Sequence, residues 1–425
     1  MAVEVCGGRG DGQTQLFDDC AGDGGLGDAE SEVACVGGDA EGEFASGFDD
    51  DGEGTGPEFF GEAVEGGVDL AGELVGLGYF GDEEREGLVA GTGFDFVYAV
   101  DCAEMHQSVI EVGTRVCSNI QVAQEDLFDL RRNMISLAEE HGLVLVAGAT
   151  HPFADWRVQE IYPDPRYAQV VEDLQLVARA NLIFGLHVHV GIEDREAAIR
   201  VMNSLRYFLP HILALSTNSP FWLGMETGYK SYRAKVFENF PRTNLPDSFA
   251  SYSEFESYVN LLIKTKSIDN AKKIWWDVRP HPFFDTVEVR ICDIPLRAQE
   301  SIAIAALIQA TACKLWHLHS SNVDYRQYSR ALLMENKFRA VRYGLDGKLI
   351  DFGKQEEVPL RDLILEYLTF IDDVLDELGS REEIGYIHTM LAQGSGADRQ
   401  LKVYRETHDL KAVVDYMAAE TKAGL

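Results

Sequence analysis

The first 100 residues of this 425-residue chain contain no lysine and only two arginines, Arg9 and Arg85, against 25 acidic residues. That segment carries a net charge of −23, out of −34 for the whole chain. So few cations exclude electrostatic binding to nucleic acid, where lysine and arginine must neutralise phosphates. Docking on an anionic membrane surface is excluded in the same way. Long apolar runs are missing too. The nearest, 302–316, is interrupted by Gln309, Thr311 and Lys314, so no membrane-spanning stretch is expected. The N-terminus has no basic start followed by an apolar core, and no signal peptide is read. The seven cysteines show no CxxC spacing, which suits reduced thiols of a cytoplasmic protein better than a disulfide framework.

Several chemical signatures are absent as well. The chain has no GxxxxGK[ST] phosphate loop, and no GxGxxG lies between a strand and a helix. HExxH and GxSxG are missing, which counts against zinc proteases and serine hydrolases. Cys117 and Cys292 read as small buried apolar residues rather than nucleophiles. No covalent enzyme nucleophile is expected.

What is present divides in two. Residues 1–103 are acidic and glycine-rich, with 25 glycines and one proline in the first hundred, and are expected to be disordered or mistranslated. Residues 104–425 have the composition of a globular domain. Helical spacing predicts helices over 124–141, 166–180, 194–215, 297–319, 325–342, 360–378 and 382–392. Ser253-x-x-Glu256 and Ser380-x-x-Glu383 resemble capping boxes. Strands are predicted over 143–146 and 181–192, and over 275–293 with a break at Pro280 and Pro282. Strands and helices do not alternate regularly. The expected fold class is therefore α+β, a mostly antiparallel sheet backed by helices.

The most informative stretch is Phe184-Gly-Leu-His-Val-His-Val-Gly-Ile192. Strand alternation puts Leu186, Val188 and Val190 on one face and Gly185, His187, His189 and Gly191 on the other. Two imidazoles on a face that glycines leave open suit metal or phosphate contact; two hydrogen-bonded sheet histidines remain the alternative. Thr286-Val-Glu-Val-Arg-Ile-Cys-Asp293 is built alike, with Glu288 and Arg290 opposite an apolar face. That pair could be a surface ion pair of little consequence. On a strand next to the histidines it would pool a carboxylate, two imidazoles and a guanidinium, the parts needed to hold a divalent cation and phosphate oxygens. Glu111, in Gln107-Ser-Val-Ile-Glu111-Val-Gly-Thr114, could add a carboxylate or be an exposed edge residue. Asp277 and Arg279 form a further same-face pair.

These stretches resemble the bacterial carboxylate–amine ligases known as type 2 glutamate–cysteine ligases, relatives of glutamine synthetase. The resemblance covers about 104–425. Gly148-Ala-Thr-His-Pro-Phe153, Leu215-Ser-Thr-Asn-Ser-Pro220, Thr227-Gly228 with Ser231 and Arg233, Trp276-Asp-Val-Arg-Pro280 and Asn336-Lys-Phe-Arg-Ala-Val-Arg-Tyr-Gly344 continue it. It implies a glutamine synthetase-like catalytic domain using ATP and Mg²⁺, in which a carboxylate is phosphorylated and then attacked by an amine. Small-molecule substrates follow, glutamate or a similar carboxylate and an amino-acid amine, and a homo-oligomer is left open. By the same resemblance, Glu111, His187 and Glu288 are metal ligands, and His189, Arg279 and Arg290 face the nucleotide phosphates or the acyl phosphate. Arg279 and Arg290 are its catalytic pair, while Arg233 and Arg339 grip substrate carboxylates. The family also carries an N-terminal G-[IV]-E-x-E strand. No such stretch is read in 1–103, so a central strand is expected to be missing. That leaves a second reading, a catalytically impaired binding protein on a ligase scaffold.

Overall fold

The computed structural model describes residues 100–425 and a short N-terminal strand, Ala2–Val5, with side chains described from Glu104 onward. The reading of 1–103 as disordered or mistranslated falls, apart from Ala2–Val5 and Val100–Ala103, outside the described residues.

The frame is a six-stranded sheet. Its strands are β1 (Ala2–Val5), β2 (Val100–Ala103), β3 (Ile110–Gly113), β4 (Gly185–Gly191), β7 (Val278–Pro280) and β8 (Thr286–Asp293), in the order β2-β3-β1-β4-β8-β7. Two hairpins stand apart, β5 (Phe221–Trp222) with β6 (Met225–Glu226), and β9 (Lys348–Asp351) with β10 (Glu356–Pro359). The β2–β3, β4–β8 and β7–β8 pairings are antiparallel, and the two parallel pairings both involve β1. The expected gap in the centre of the sheet is thus filled. Ala2–Val5 lies between β3 and β4, with Ala2 in register with His187 and Glu4 with His189. The G-[IV]-E-x-E pattern misses this strand because Ala-Val-Glu-Val carries one glutamate and no leading glycine.

The β4–β8 register slips by one residue. Leu186 pairs with Cys292 but Val188 with Val289, so His187 alone lies opposite both Arg290 and Ile291. This is a β-bulge, which bends and twists the strand that carries the extra residue.

Among the described residues, twelve helices of six residues or more pack around the sheet, several of them on its apolar face. In chain order they are α1 (Ile120–Glu140), α2 (Pro165–Leu174), α3 (Arg195–Leu205), α4 (Leu209–Ser216), α5 (Tyr232–Phe237) and α6 (Tyr252–Lys264). They continue with α7 (Ala298–Ser320), α8 (Arg330–Tyr343), α9 (Leu360–Ile371), α10 (Arg381–Gln393), α11 (Gly396–Thr407) and α12 (Leu410–Lys422). Leu186, Val188, Val287 and Val289 bury with Ile199, Met202, Ile302, Ala303 and Ala306 in one continuous core. Asn119 caps α1 by accepting from Val122 N at 2.9 Å, and Asp194 caps α3 by accepting from Glu196 N at 2.8 Å. Each such cap stabilises its helix by about 1 kcal/mol.

Several expected boundaries shift. Residues 143–146 are buried to half depth without strand pairing. The helix expected over 166–180 breaks at Gln175, whose φ of 50° is left-handed. The one expected over 194–215 divides ahead of Pro210, because proline cannot donate to the preceding turn. The cap of α6 sits two residues earlier than expected and is not a full capping box, because Glu254 reaches the residue before the cap. Ser251 accepts from Glu254 N at 3.2 Å, and Glu254 accepts from Ala250 N at 2.6 Å. Ser380 precedes α10 without a side-chain cap. The expectation that no stretch could span a membrane also needs correcting. α7 is long and apolar enough by length and composition, but 72% of that window is buried in the fold, as befits a core helix.

Candidate active site

Glu288 is the centre of the polar face. It is 1% exposed, and register places it opposite His189 on β4 and Arg279 on β7. Arg279 Nε donates to its Oε2 at 2.7 Å, and Arg290 Nη1 pairs with its Oε1. His187 Nδ1 and His189 Nε2 stand 4.0 and 3.9 Å from the same Oε1. The four groups expected to pool on adjacent strands therefore do so, with Arg279 added. The reading of Glu288 and Arg290 as a surface pair is overturned by their burial. Arg279 is fixed from behind, its Nη1 donating to Ile274 O at 2.6 Å and Lys272 O at 3.0 Å. Burial presses the Glu288 carboxyl upward, but the Arg290 and Arg279 charges outweigh it and hold the group well below the usual carboxylate range. Burial, helped by Arg290, lowers His187 well below its ordinary value, and burial lowers His189. Both imidazoles are thus neutral near pH 7, the form that ligates metals. His189 is oriented by Thr286, whose Oγ1 lies 3.1 Å from Nδ1.

Glu111 joins this cluster from β3, within charge reach of His187 and Arg290. Its carboxyl also hydrogen-bonds to that of Glu104, a residue that sequence reasoning passed over. Burial, reinforced by Glu111, pushes Glu104 upward, whereas Glu111 is held low despite its own burial. Two half-buried carboxyls beside a neutral imidazole form a donor set that a divalent cation can take over. Glu104 precedes the strand and breaks no alternation. Only its spacing of seven residues from Glu111 hints at a partnership.

Arg233 lies behind β8. Its Nη1 donates to Ile291 O and its Nη2 to Arg290 O, both at 3.2 Å, and Nη1 stands 3.9 Å from Asp293 Oδ1. Asp293 is wholly buried and accepts from Asn218 N at 2.8 Å, Ser219 Oγ at 2.7 Å and Ser231 Oγ at 2.8 Å. Gly185 makes room for this guanidinium, since a Cβ there would fall 2.2 Å from Nη2. Gly185→Ala is expected to cost about 1–3 kcal/mol by overpacking and to lower turnover through the displaced β8. Thermal unfolding checks this, and an unchanged Tm would mean that Arg233 yields freely.

Two expectations are not met. Asp277 does not partner Arg279; its Oδ2 accepts from Lys337 Nζ at 2.7 Å, a buried pair next to Arg233. Arg339 is not brought to the Glu288 cluster. It reaches across the surface to Glu335 at 3.1 Å and Glu357 at 2.6 Å, because its position on α8 faces the β9–β10 hairpin. Among the described residues, Arg290 Nε and Arg233 Nε are buried donors without a hydrogen-bond partner. In a site already rich in guanidinium, unpaired donors fit an anionic ligand such as a phosphate.

Residues 83–416 match the family model described as glutamate–cysteine ligase family 2. A relative from Solibacter usitatus, provisionally named glutamate–cysteine ligase 2, is 66% identical over 322 residues, which cover 76% of this chain and 84% of that one. Relatives of the same provisional name from Herpetosiphon aurantiacus and Sorangium cellulosum are 55% identical over 322 residues and 54% over 338. These alignments cover 76% and 80% of this chain, and 84% and 90% of the relatives. Among solved structures, the glutamate–cysteine ligase of Francisella tularensis in complex with AMP shares the fold. Its TM-score is 0.54 at 13% identity, covering 75% of this chain and 81% of that one.

Proposed function

The chain belongs to glutamate–cysteine ligase family 2, and on that premise we propose that it joins the γ-carboxylate of glutamate to the amine of cysteine at the expense of ATP. The observation that carries this reading is one cluster holding both signs of charge: Arg279 and Arg290 on Glu288, beside the carboxyls of Glu104 and Glu111. In the proposed reaction a carboxylate oxygen attacks the γ-phosphorus of ATP, the bond to the β,γ-bridging oxygen breaks and ADP leaves. The cysteine amine then attacks the acyl carbon, the carbon–oxygen bond to phosphate breaks, and the amine proton passes to solvent.

Arg290 and Arg279 are placed to neutralise charge on the transferring phosphoryl group, with Arg290 Nε available as a donor. His189, held by Thr286, offers its other nitrogen to the same region. Arg233 has both Nη atoms on strand carbonyls, so we assign it to positioning Arg290 rather than to substrate. Glu111, His187 and Glu288, with Glu104 added, would hold Mg²⁺. The ion, when bound, screens the phosphate oxygens and draws electrons from phosphorus.

Coupled measurement of ADP release tests the proposal. Release should require glutamate, cysteine and Mg²⁺ together, and ATP binding without amine-dependent release would leave the scaffold-protein reading in its place. Glu111→Gln should raise the Mg²⁺ concentration for half-maximal rate by about tenfold or more, the scale of losing a ligand or its direct support. An unchanged Mg²⁺ requirement would remove Glu111 from the metal site.

A further inference from the structure

Cys313 and His317 are one helical turn apart on α7, and Glu377, from the short helix Leu375–Leu378, comes over the same turn. Their donor atoms all lie within 4.8 Å of one another. Cys313 Sγ is 4.0 Å from His317 Nε2, and that nitrogen is 3.5 Å from Glu377 Oε2. Two ligands of a tetrahedral zinc ion lie about 3.5 Å apart for sulfur and nitrogen and about 3.4 Å for nitrogen and oxygen, given metal–ligand bonds of about 2.0–2.3 Å. The observed separations exceed these by a few tenths of an ångström, a rotamer adjustment for side chains that are partly exposed. None of the three belongs to the Glu288 cluster.

We propose that Cys313, His317 and Glu377 form a surface binding site for a soft divalent transition metal of the zinc class, with a fourth position open to solvent. Thiolate with imidazole selects zinc and its neighbours over magnesium, which prefers oxygen ligands. Binding removes the Cys313 thiol proton to solvent and forms a metal–sulfur bond, with no change of oxidation state. A His–Glu ion pair beside a half-buried cysteine explains the contacts only in part. It gives no reason for the sulfur to face the same imidazole nitrogen as the carboxylate. A bound ion would tie α7 to the segment leading into α10, where Lys314 and Asp373 already make a second cross-link. The proposal is independent of the ligase reading.

The test titrates the reduced full-length protein with Co²⁺ alone and follows the near-ultraviolet thiolate-to-metal charge-transfer band. One equivalent should produce the band, and Zn²⁺ should abolish it by displacement while Mg²⁺ should not. Cys313→Ser should lose the band, and His317→Ala and Glu377→Gln should each weaken Co²⁺ by about tenfold or more. Glu111→Gln should keep it, which separates this site from the magnesium site. Zn²⁺ should also raise the Tm of the wild-type protein and leave that of folded Cys313→Ser unmoved. A wild-type protein without the band, or a band that survives Cys313→Ser, overturns the proposal. Should the serine variant not fold, His317→Ala decides the matter, and Co²⁺ binding of undiminished affinity there overturns the proposal equally.

Discussion

Glu288→Gln lowers the rate of glutamate- and cysteine-dependent ADP release by about 10³-fold or more, the scale of losing a charged group from a preorganised site. Glutamine keeps the size of the side chain and can still accept from Arg279 Nε, so the strand pairing survives. What is lost is the negative charge between Arg279, Arg290 and the two imidazoles. The two guanidinium groups then repel each other in a buried site, and the cation loses a ligand. Part of the cost appears as stability, since breaking a buried ion pair from one side costs about 3–5 kcal/mol. Rates measured at saturating Mg²⁺ and well below the variant's Tm separate the two effects. Turnover close to that of the unsubstituted protein under those conditions would remove Glu288 from the site.

Asp293→Ala produces the largest loss of stability, on the order of 3–5 kcal/mol. The carboxylate joins three segments at one point, taking Asn218 and Ser219 after α4, Ser231 before α5 and Arg233 within it. Alanine leaves two hydroxyls and one backbone amide without their acceptor, and a buried guanidinium without its counter-charge. Asp293→Asn retains some of these bonds and should fall between the two. Thermal and urea unfolding of both variants rank them, and an alanine variant with wild-type Tm would show that Asp293 is not the joint.

Much of the site could be read from the chain. The His187–His189 and Glu288–Arg290 alternations were legible because each strand has one apolar face, which fixes the period at two. That β4 and β8 are neighbours followed only from their matching construction, and the register supplied what pattern could not. Glu104 was missed because it lies outside any alternation. Asn218, Ser219 and Ser231 were visible as parts of a resemblance without a role, since a turn segment gives no sign of which distant carboxylate it will hold. β1 was missed for a compositional reason. Four residues at the head of a glycine-rich acidic segment do not stand out, and only the pairing with β3 and β4 distinguishes them. The surroundings of Arg339 were not legible either, since the β9–β10 hairpin that takes it up has no strong sequence signal.

The slip opposite His187 has a geometric consequence. Glu288 and Asp293 are five positions apart, an odd number, so an unbroken strand would send one to the polar side and the other into the apolar layer. Facing residues on antiparallel strands share a side, and the pairs Gly185–Asp293 and His189–Glu288 both fall on the odd-numbered side of β4. The supernumerary residue therefore acts as a half-period phase shift that brings both acids to one side of the sheet. Deleting one residue at Arg290 or Ile291 would bring the separation to four, an even number, so the bulge would vanish while Asp293 kept its place opposite Gly185 on the side of Glu288.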